Sequence, residues 1–298
     1  RARCGMSLAA SLHGNAGQLA DPLGALLLAA DRLAQNALMG GHGRRRSGIG
    51  EDFWQYRSYQ PQQDTLQAID HRRSGKSDGY FVREQEWRTA QALQIWVDSA
   101  RSMQFSSQTA PSKFQQAGVL ALALAIAAEK AGEKVGLATT GLPPARGRKQ
   151  IFRLADAFLK PGLEEYTTAL EPVFLPNARA LFISDFLGDL DPLKMALSKA
   201  VDAGIAGVIL QVLDPAEVEF PYRGRAVFQS PLKRLQHDSL QAADLRAQYL
   251  KRLAARRDGL ANLAKDAGWQ LIDYVSNANP ISALLQLHKA LGQEGRRG

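Results

Sequence analysis

Three stretches decide what this chain can fold into. Leu93 to Val97 (LQIWV), Ala180 to Ser184 (ALFIS) and Ala206 to Leu213 (AGVILQVL) are near-continuous apolar runs of strand length. A sheet with one wet face shows apolar–polar alternation. Unbroken runs need both faces covered, which means parallel strands between two layers of helices. Further strands are predicted at Tyr80 to Val82, Lys134 to Thr140 and Trp269 to Val275. Helices are predicted at Pro22 to Leu38, Pro111 to about Ala131, Lys149 to Leu159, Asp191 to Ala203, Gln241 to Ala267 and Pro280 to Leu291. Pro22 and Pro111 suit a first helical turn, where the missing N–H costs nothing. The expected fold is a doubly wound, mostly parallel α/β sheet. Ligands of such sheets sit at the strand carboxyl ends, where strand order reverses.

Residues 40 to 79 break this rhythm. They are rich in Arg, Gln, Asp and Gly and read as ordered loop with short strands. The expected organisation is a helical arm over 1–40, a distinct box over 41–90 and the α/β domain over 91–293. Within the box, Arg57, Asp64, Asp70, Arg72, Arg83 and Glu84 mix signs at a density that predicts an internal ion-pair network.

Composition narrows the class. With 298 residues, 45% hydrophobic and 22% charged, the chain has the make-up of a folded protein, not a disordered one. Its single cysteine, Cys4, excludes a disulfide framework and a multi-cysteine zinc site. The longest apolar runs, Leu23 to Ala30 and Ala117 to Ala128, fall short of the ~18–20 residues a membrane span requires. The opening residues lack the compact apolar core of a signal peptide. A soluble, cytoplasmic protein is expected.

Common catalytic and nucleotide motifs fail on their spacing. Gly75-Lys76-Ser77 ends like a phosphate-binding loop, but Asp70 stands where the leading Gly is needed and no apolar strand precedes it. Gly48-Ile49-Gly50 lacks a third glycine. There is no HExxH and no GxSxG, and the five histidines share no metal-binding spacing on one helix. Lys and Arg number 37 against 29 Asp and Glu, a formal +8, with clusters at Arg44 to Arg46, Arg146 to Lys149 and Lys251 to Arg257. Such runs attract phosphate or acidic protein.

The strand ends carry the remaining chemistry. Asp98 to Ser102 follows the strand ending at Val97, Ser184-Asp185 ends the strand ALFIS, and Thr167-Thr168 lies in a loop between them. Two carboxylates on neighbouring strand ends with hydroxyls nearby form an oxygen cluster suited to a hard divalent cation. An Asp in such a place also serves commonly as a helix cap.

This pattern resembles the metal-ion-dependent adhesion site of von Willebrand factor A domains: Asp-x-Ser-x-Ser, a distal Thr and Ile-Ser-Asp. Gly48 to Phe53, Arg57-Ser58-Tyr59, Asp64, Ile69 to Arg72, Val82-Arg83-Glu84, Ser184-Asp185-Phe186, Asp214 to Glu217 and Gly224 resemble the signature of domain-of-unknown-function family 58, over roughly residues 40 to 290. The resemblance implies a von Willebrand factor A-like domain whose metal, Mg²⁺ or Mn²⁺, is held by Asp98, Ser102, Asp185 and one of the two adjacent threonines, Thr168 in preference to Thr167. Two departures stand out. Ala100 replaces the first ligand serine, and His71 replaces the box tryptophan. Arg101 is the nearest residue able to supply a cation in the metal's stead. The resemblance further implies a non-enzymatic adaptor or chaperone-like partner of a MoxR-type AAA+ ATPase, engaging a protein carboxylate through the metal. The competing classes are a basic nucleic-acid-binding protein and a metal-dependent hydrolase using Asp98 and Asp185.

Overall fold

The computed structural model describes residues 22–41, 55–58, 80–84, 92–107, 111–167 and 170–292. They fall in two compact units, one within 41–90 and the other drawn from 1–40 and 91–298. In the smaller unit, β1 (Gln55–Ser58) and β2 (Phe81–Glu84) form an antiparallel ladder with Tyr56 opposite Arg83 and Arg57 opposite Val82. Asp64, Asp70 and Arg72 of the expected ion-pair network lie outside the described residues.

The strands of the larger unit are β3 (Ala92–Val97), β4 (Lys134–Leu137), β5 (Ala178–Ser184), β6 (Ala206–Leu213), β7 (Ala226–Gln229), β8 (Gln236–Ser239) and β9 (Gln270–Val275). Five of them make one all-parallel sheet in the order β4-β3-β5-β6-β9. The chain leaves β3 for β4 on one side, then returns to place β5 on the other, so strand order reverses between β3 and β5. The helices are α1 (Pro22–Gly41), α2 (Lys113–Lys130), α3 (Arg148–Phe158), α4 (Asp191–Asp202), α5 (Pro215–Glu219), α6 (Ala242–Asp266) and α7 (Pro280–Gly292).

Side chains of successive strand residues point to opposite faces, and both faces are buried. Leu93, Ile95, Leu181, Ile183, Val208 and Leu210 join α1, α2, α3 and α7 in one core. Ala180, Phe182 and Ile209 join α4 and α6 in the other. This is the doubly wound α/β architecture expected. The second core is organised by aromatic rings: Phe182 packs against Trp269 with centroids 4.9 Å apart and edge-on against Trp96 at 5.9 Å. The Trp269 indole N–H is satisfied by the Ile205 carbonyl at 3.0 Å.

Two local readings need correction. Pro111 precedes α2 instead of opening it, because Ser112 is the N-cap. Its hydroxyl accepts from Gln115 N–H while the Gln115 side chain accepts from Ser112 N–H, a reciprocal capping box. That shift makes Lys113 the first helical residue. The β7–β8 hairpin was also not anticipated; the strand Gln-His-Asp-Ser is polar throughout and carries no apolar period.

Gly207 is where the close approach of strand and aromatic core demands the smallest residue. A Cβ there would lie 2.5 Å from the Ala180 carbonyl oxygen and 2.7 Å from the Trp269 ring. The backbone oxygen cannot retreat without disturbing the β5–β6 pairing. Gly207→Ala is therefore expected to lower stability by about 1–3 kcal/mol in urea denaturation; an unchanged midpoint would contradict this packing.

Candidate functional site

The reversal point brings two acidic residues together. Val97 pairs with Ile183 across β3 and β5, and the next N–H, that of Asp98, still bonds the Ile183 carbonyl at 2.8 Å. Asp98 thus emerges beside Ser184-Asp185. Its Oδ1 accepts the Ala100 N–H at 2.9 Å, and its Oδ2 accepts the Ser184 hydroxyl at 2.6 Å. Asp185 Oδ1 accepts the Leu187 N–H at 3.0 Å. The chain turns sharply at Phe186, a buried non-glycine residue at φ 51°. A bulky residue in the left-handed region is strained and persists only where its surroundings enforce it. Here the Ser184 hydroxyl takes the Phe186 N–H, and the Phe186 ring packs on Trp96.

A second segment is clasped to the end of β3. Gly162 N–H bonds the Ser99 carbonyl at 2.7 Å, Arg101 N–H bonds Glu164 at 2.8 Å, and Ser102 N–H bonds Glu165 at 3.0 Å. Gly188 lets this loop approach closely, since a Cβ there would stand 2.7 Å from Tyr166 Cβ. The result is a cleft of about 20 Å³ lined by Trp96, Asp98, Thr167, Ser184 and Asp185 among others. That is room for about one water. Ser102 Oγ and Thr167 Oγ1 are buried without a hydrogen bond of full geometry. Of the residues expected to form the site, Asp98 and Asp185 meet at the cleft and Ser102 is held beside its loop. Thr168 lies outside the described residues.

The residue that sequence reasoning missed is Lys113. It is fully buried, and its ammonium contacts Asp185 Oδ2 at 2.8 Å and Glu217 Oε1 at 2.6 Å. The Phe105 ring lies 5.8 Å from the same nitrogen. Glu217 is aimed by the capping box of α5: its Oε2 accepts the Asp214 N–H at 2.8 Å, while Asp214 Oδ1 accepts from Ala216. Asp214 Oδ2 also takes the Ser107 N–H at 2.8 Å. Burial alone would pull the lysine below its ordinary pKa; the charges of Asp185 and then Glu217 outweigh it and hold the ammonium above that value. The cation beside Asp185 is therefore Lys113 and not Arg101, whose Nε is buried without a partner.

The family model described as protein of unknown function DUF58 matches residues 55–259. The chain belongs to that family. Among solved structures, this DUF58 chain is similar to an aerotolerance-related membrane protein from Bacteroides fragilis, with 17% identity, TM-score 0.42, and 68% of this chain and all of that one covered. It is also similar to the conserved hypothetical protein BatB from Bacteroides thetaiotaomicron, with 18% identity, TM-score 0.39 and the same coverage. No curated protein matches it. Among the described residues, no helix is long and apolar enough to cross a membrane.

Among the described residues of this DUF58 chain, the donors at the cleft do not fit the divalent cation its resemblance implies. A hard cation takes oxygen ligands, with one or two carboxylates among them that are not held by another cation. A cation already sits on Asp185, whose Oδ2 accepts from the Lys113 ammonium, and Ala100 offers no side-chain oxygen. Among the described hydroxyls, Ser102 Oγ is buried without a partner, and the Thr167 hydroxyl faces the Asp98 carboxylate. Among the described residues, no group of three or more His, Cys, Asp and Glu is placed to hold a metal ion.

Burial raises the Asp98 carboxyl above its ordinary pKa, opposed by the hydroxyls of Ser184 and Thr167 and the Ala100 N–H, and reinforced by the charge of Asp185. A carboxyl raised on folding contributes stability that is complete below the unfolded pKa and lost as pH rises through the folded one. Asp98→Asn does not titrate. Relative to wild type, the variant is expected to gain stability as pH rises from about 4 until Asp98 is fully ionised, then hold level. Urea denaturation across this range checks it; a stability difference independent of pH would contradict a raised Asp98.

Proposed function

We propose that this chain is a non-enzymatic protein-interaction module of the cytoplasm that works with a MoxR-type AAA+ ATPase. It docks its partner on the face at the carboxyl ends of β3 and β5. The family resemblance supplies the class of partner. Two features of the site support docking over chemistry. The cleft holds about one water, where small-molecule pockets span roughly 300–1,000 Å³. The acidic oxygens that a hydrolase would use as bases are committed to Lys113, Ser184 and backbone N–H groups.

The observation that carries the reading is a pair of exposed leucines on two segments joined next to the site. Leu163 is 80% exposed and Leu235 is 74% exposed. Their segments are tied where Glu165 Oε1 accepts the Leu232 N–H at 3.2 Å. Lys233 and Arg234 flank Leu235, and the Glu165 carboxylate feels the Arg234 charge. Large exposed side chains on bonded loops, beside basic residues, suit a partner surface that mixes apolar and acidic groups.

Leu163→Asp and Leu235→Asp should each weaken capture of the purified ATPase about tenfold or more, with the circular dichroism spectrum unchanged. Val201→Asp, on the distant α4, should leave capture intact. Equal capture by all three variants, or no affinity for the ATPase in wild type, would contradict the reading.

A further inference from the structure

We infer that Lys113 is the resident cation of this site: an internal ammonium that takes the place of a divalent ion, so that the strand-end face keeps one electrostatic state without metal. The inference goes beyond the docking reading and does not depend on it.

Four observations converge on Lys113. Its side chain is fully buried, which for an ammonium is unfavourable unless it is paired and hydrogen-bonded. Its partners come from the ends of two adjacent strands, Asp185 after β5 and Glu217 from the helix that follows β6, so the ammonium occupies Asp185, the acid that the expected metal site shares with it. It is the first residue of α2, where the helix dipole disfavours a positive charge. Helix electrostatics therefore give no reason for a lysine at this position; the two carboxylates do. The departure at Ala100 agrees with this arrangement, since a site that has its own cation has no use for the missing hydroxyl.

The contacts also match a cation's needs. Ammonium–oxygen distances of 2.8 and 2.6 Å are only a little longer than the roughly 2.0–2.6 Å of divalent metal–oxygen bonds. The Phe105 ring, 5.8 Å away, supplies a further favourable face. A divalent ion brought to Asp185 would have to displace the ammonium into an apolar surround or sit against its charge. Removing the ammonium reverses the situation: Asp185 and Glu217 are then two uncompensated acids around the space the ammonium filled, which a small cation can enter.

The test is a Mn²⁺ titration followed by electron paramagnetic resonance, on wild type, Asp185→Ala, Lys113→Ala and Lys113→Ala with Asp185→Ala. Wild type is expected to show no specific Mn²⁺ binding at millimolar concentration, and its melting temperature should not respond to Mg²⁺ or to a chelator. Lys113→Ala should gain a single site at least about tenfold tighter than any residual binding in wild type, and the double variant should lose it. Should Lys113→Ala not fold, the wild-type titration and melts decide alone. Specific Mn²⁺ binding in wild type that Asp185→Ala abolishes would overturn the inference. A folded Lys113→Ala that gains no site would overturn it as well. These measurements need no partner protein, so their failure leaves the ATPase-docking reading standing.

Discussion

The contact between the Lys113 ammonium and the carboxylates of Asp185 and Glu217 organises the carboxyl-end face of the parallel sheet. Desolvating an ion costs several kcal/mol, and a buried pair repays that only when geometry and surrounding hydrogen bonds are good. Here both conditions hold. Asp185 also accepts Leu187 N–H, Glu217 also accepts Asp214 N–H, and each carboxylate thereby keeps one oxygen for the ammonium and one for the backbone. The pair joins the exit of β5, the exit of β6 and the first turn of α2. Loss of Lys113 leaves the buried Asp185 carboxylate without its ion partner, a change in the range of roughly 3–5 kcal/mol.

Everything that positions this contact follows from the parallel sheet. Neighbouring strands β3, β5 and β6 end together, and the order reversal between β3 and β5 leaves a gap into which loops can reach. The two cores fix the strands: aliphatic on the face of α2, aromatic on the face of α4 and α6. Gln94 then reaches from β3 to fasten the approach to β5, donating to Val173 O at 2.7 Å and accepting Leu175 N–H at 2.9 Å. Gln211 does the same at the other flank, donating to Asp185 O at 2.9 Å. These buried amides satisfy loop backbone that would otherwise be left unpaired.

Much of the architecture is legible in the sequence. Runs such as AGVILQVL have one stable use, a strand covered on both faces, and β6 occupies that stretch, Ala206–Leu213. Asp98 and Asp185 were legible because strand ends can be located from such runs. The Lys113 contact was not. Its partners lie 72 and 104 residues away in sequence, and a lone lysine after Pro-Ser reads as a solvated helix start. The one available hint was its position: with Ser112 recognised as the cap, Lys113 falls at the helix end where cations are disfavoured. Glu217 was equally hidden, since its role as capping-box partner of Asp214 explains it locally without revealing its second oxygen's contact. Arg101 is close to Asp98 in sequence, but the cation in contact with Asp185 in space is Lys113.

The two departures at the site, an alanine for a ligand serine and a lysine between the acids, belong to one arrangement in which a covalently held cation supplants an exchangeable one. The most direct measurement is a crystal structure grown with millimolar Mn²⁺ and recorded for its anomalous signal. The account predicts Lys113 Nζ within hydrogen-bond distance of both Asp185 and Glu217, and no anomalous peak at the cleft between Asp98 and Asp185. A manganese peak there, with the Lys113 side chain turned away from both carboxylates, would contradict it.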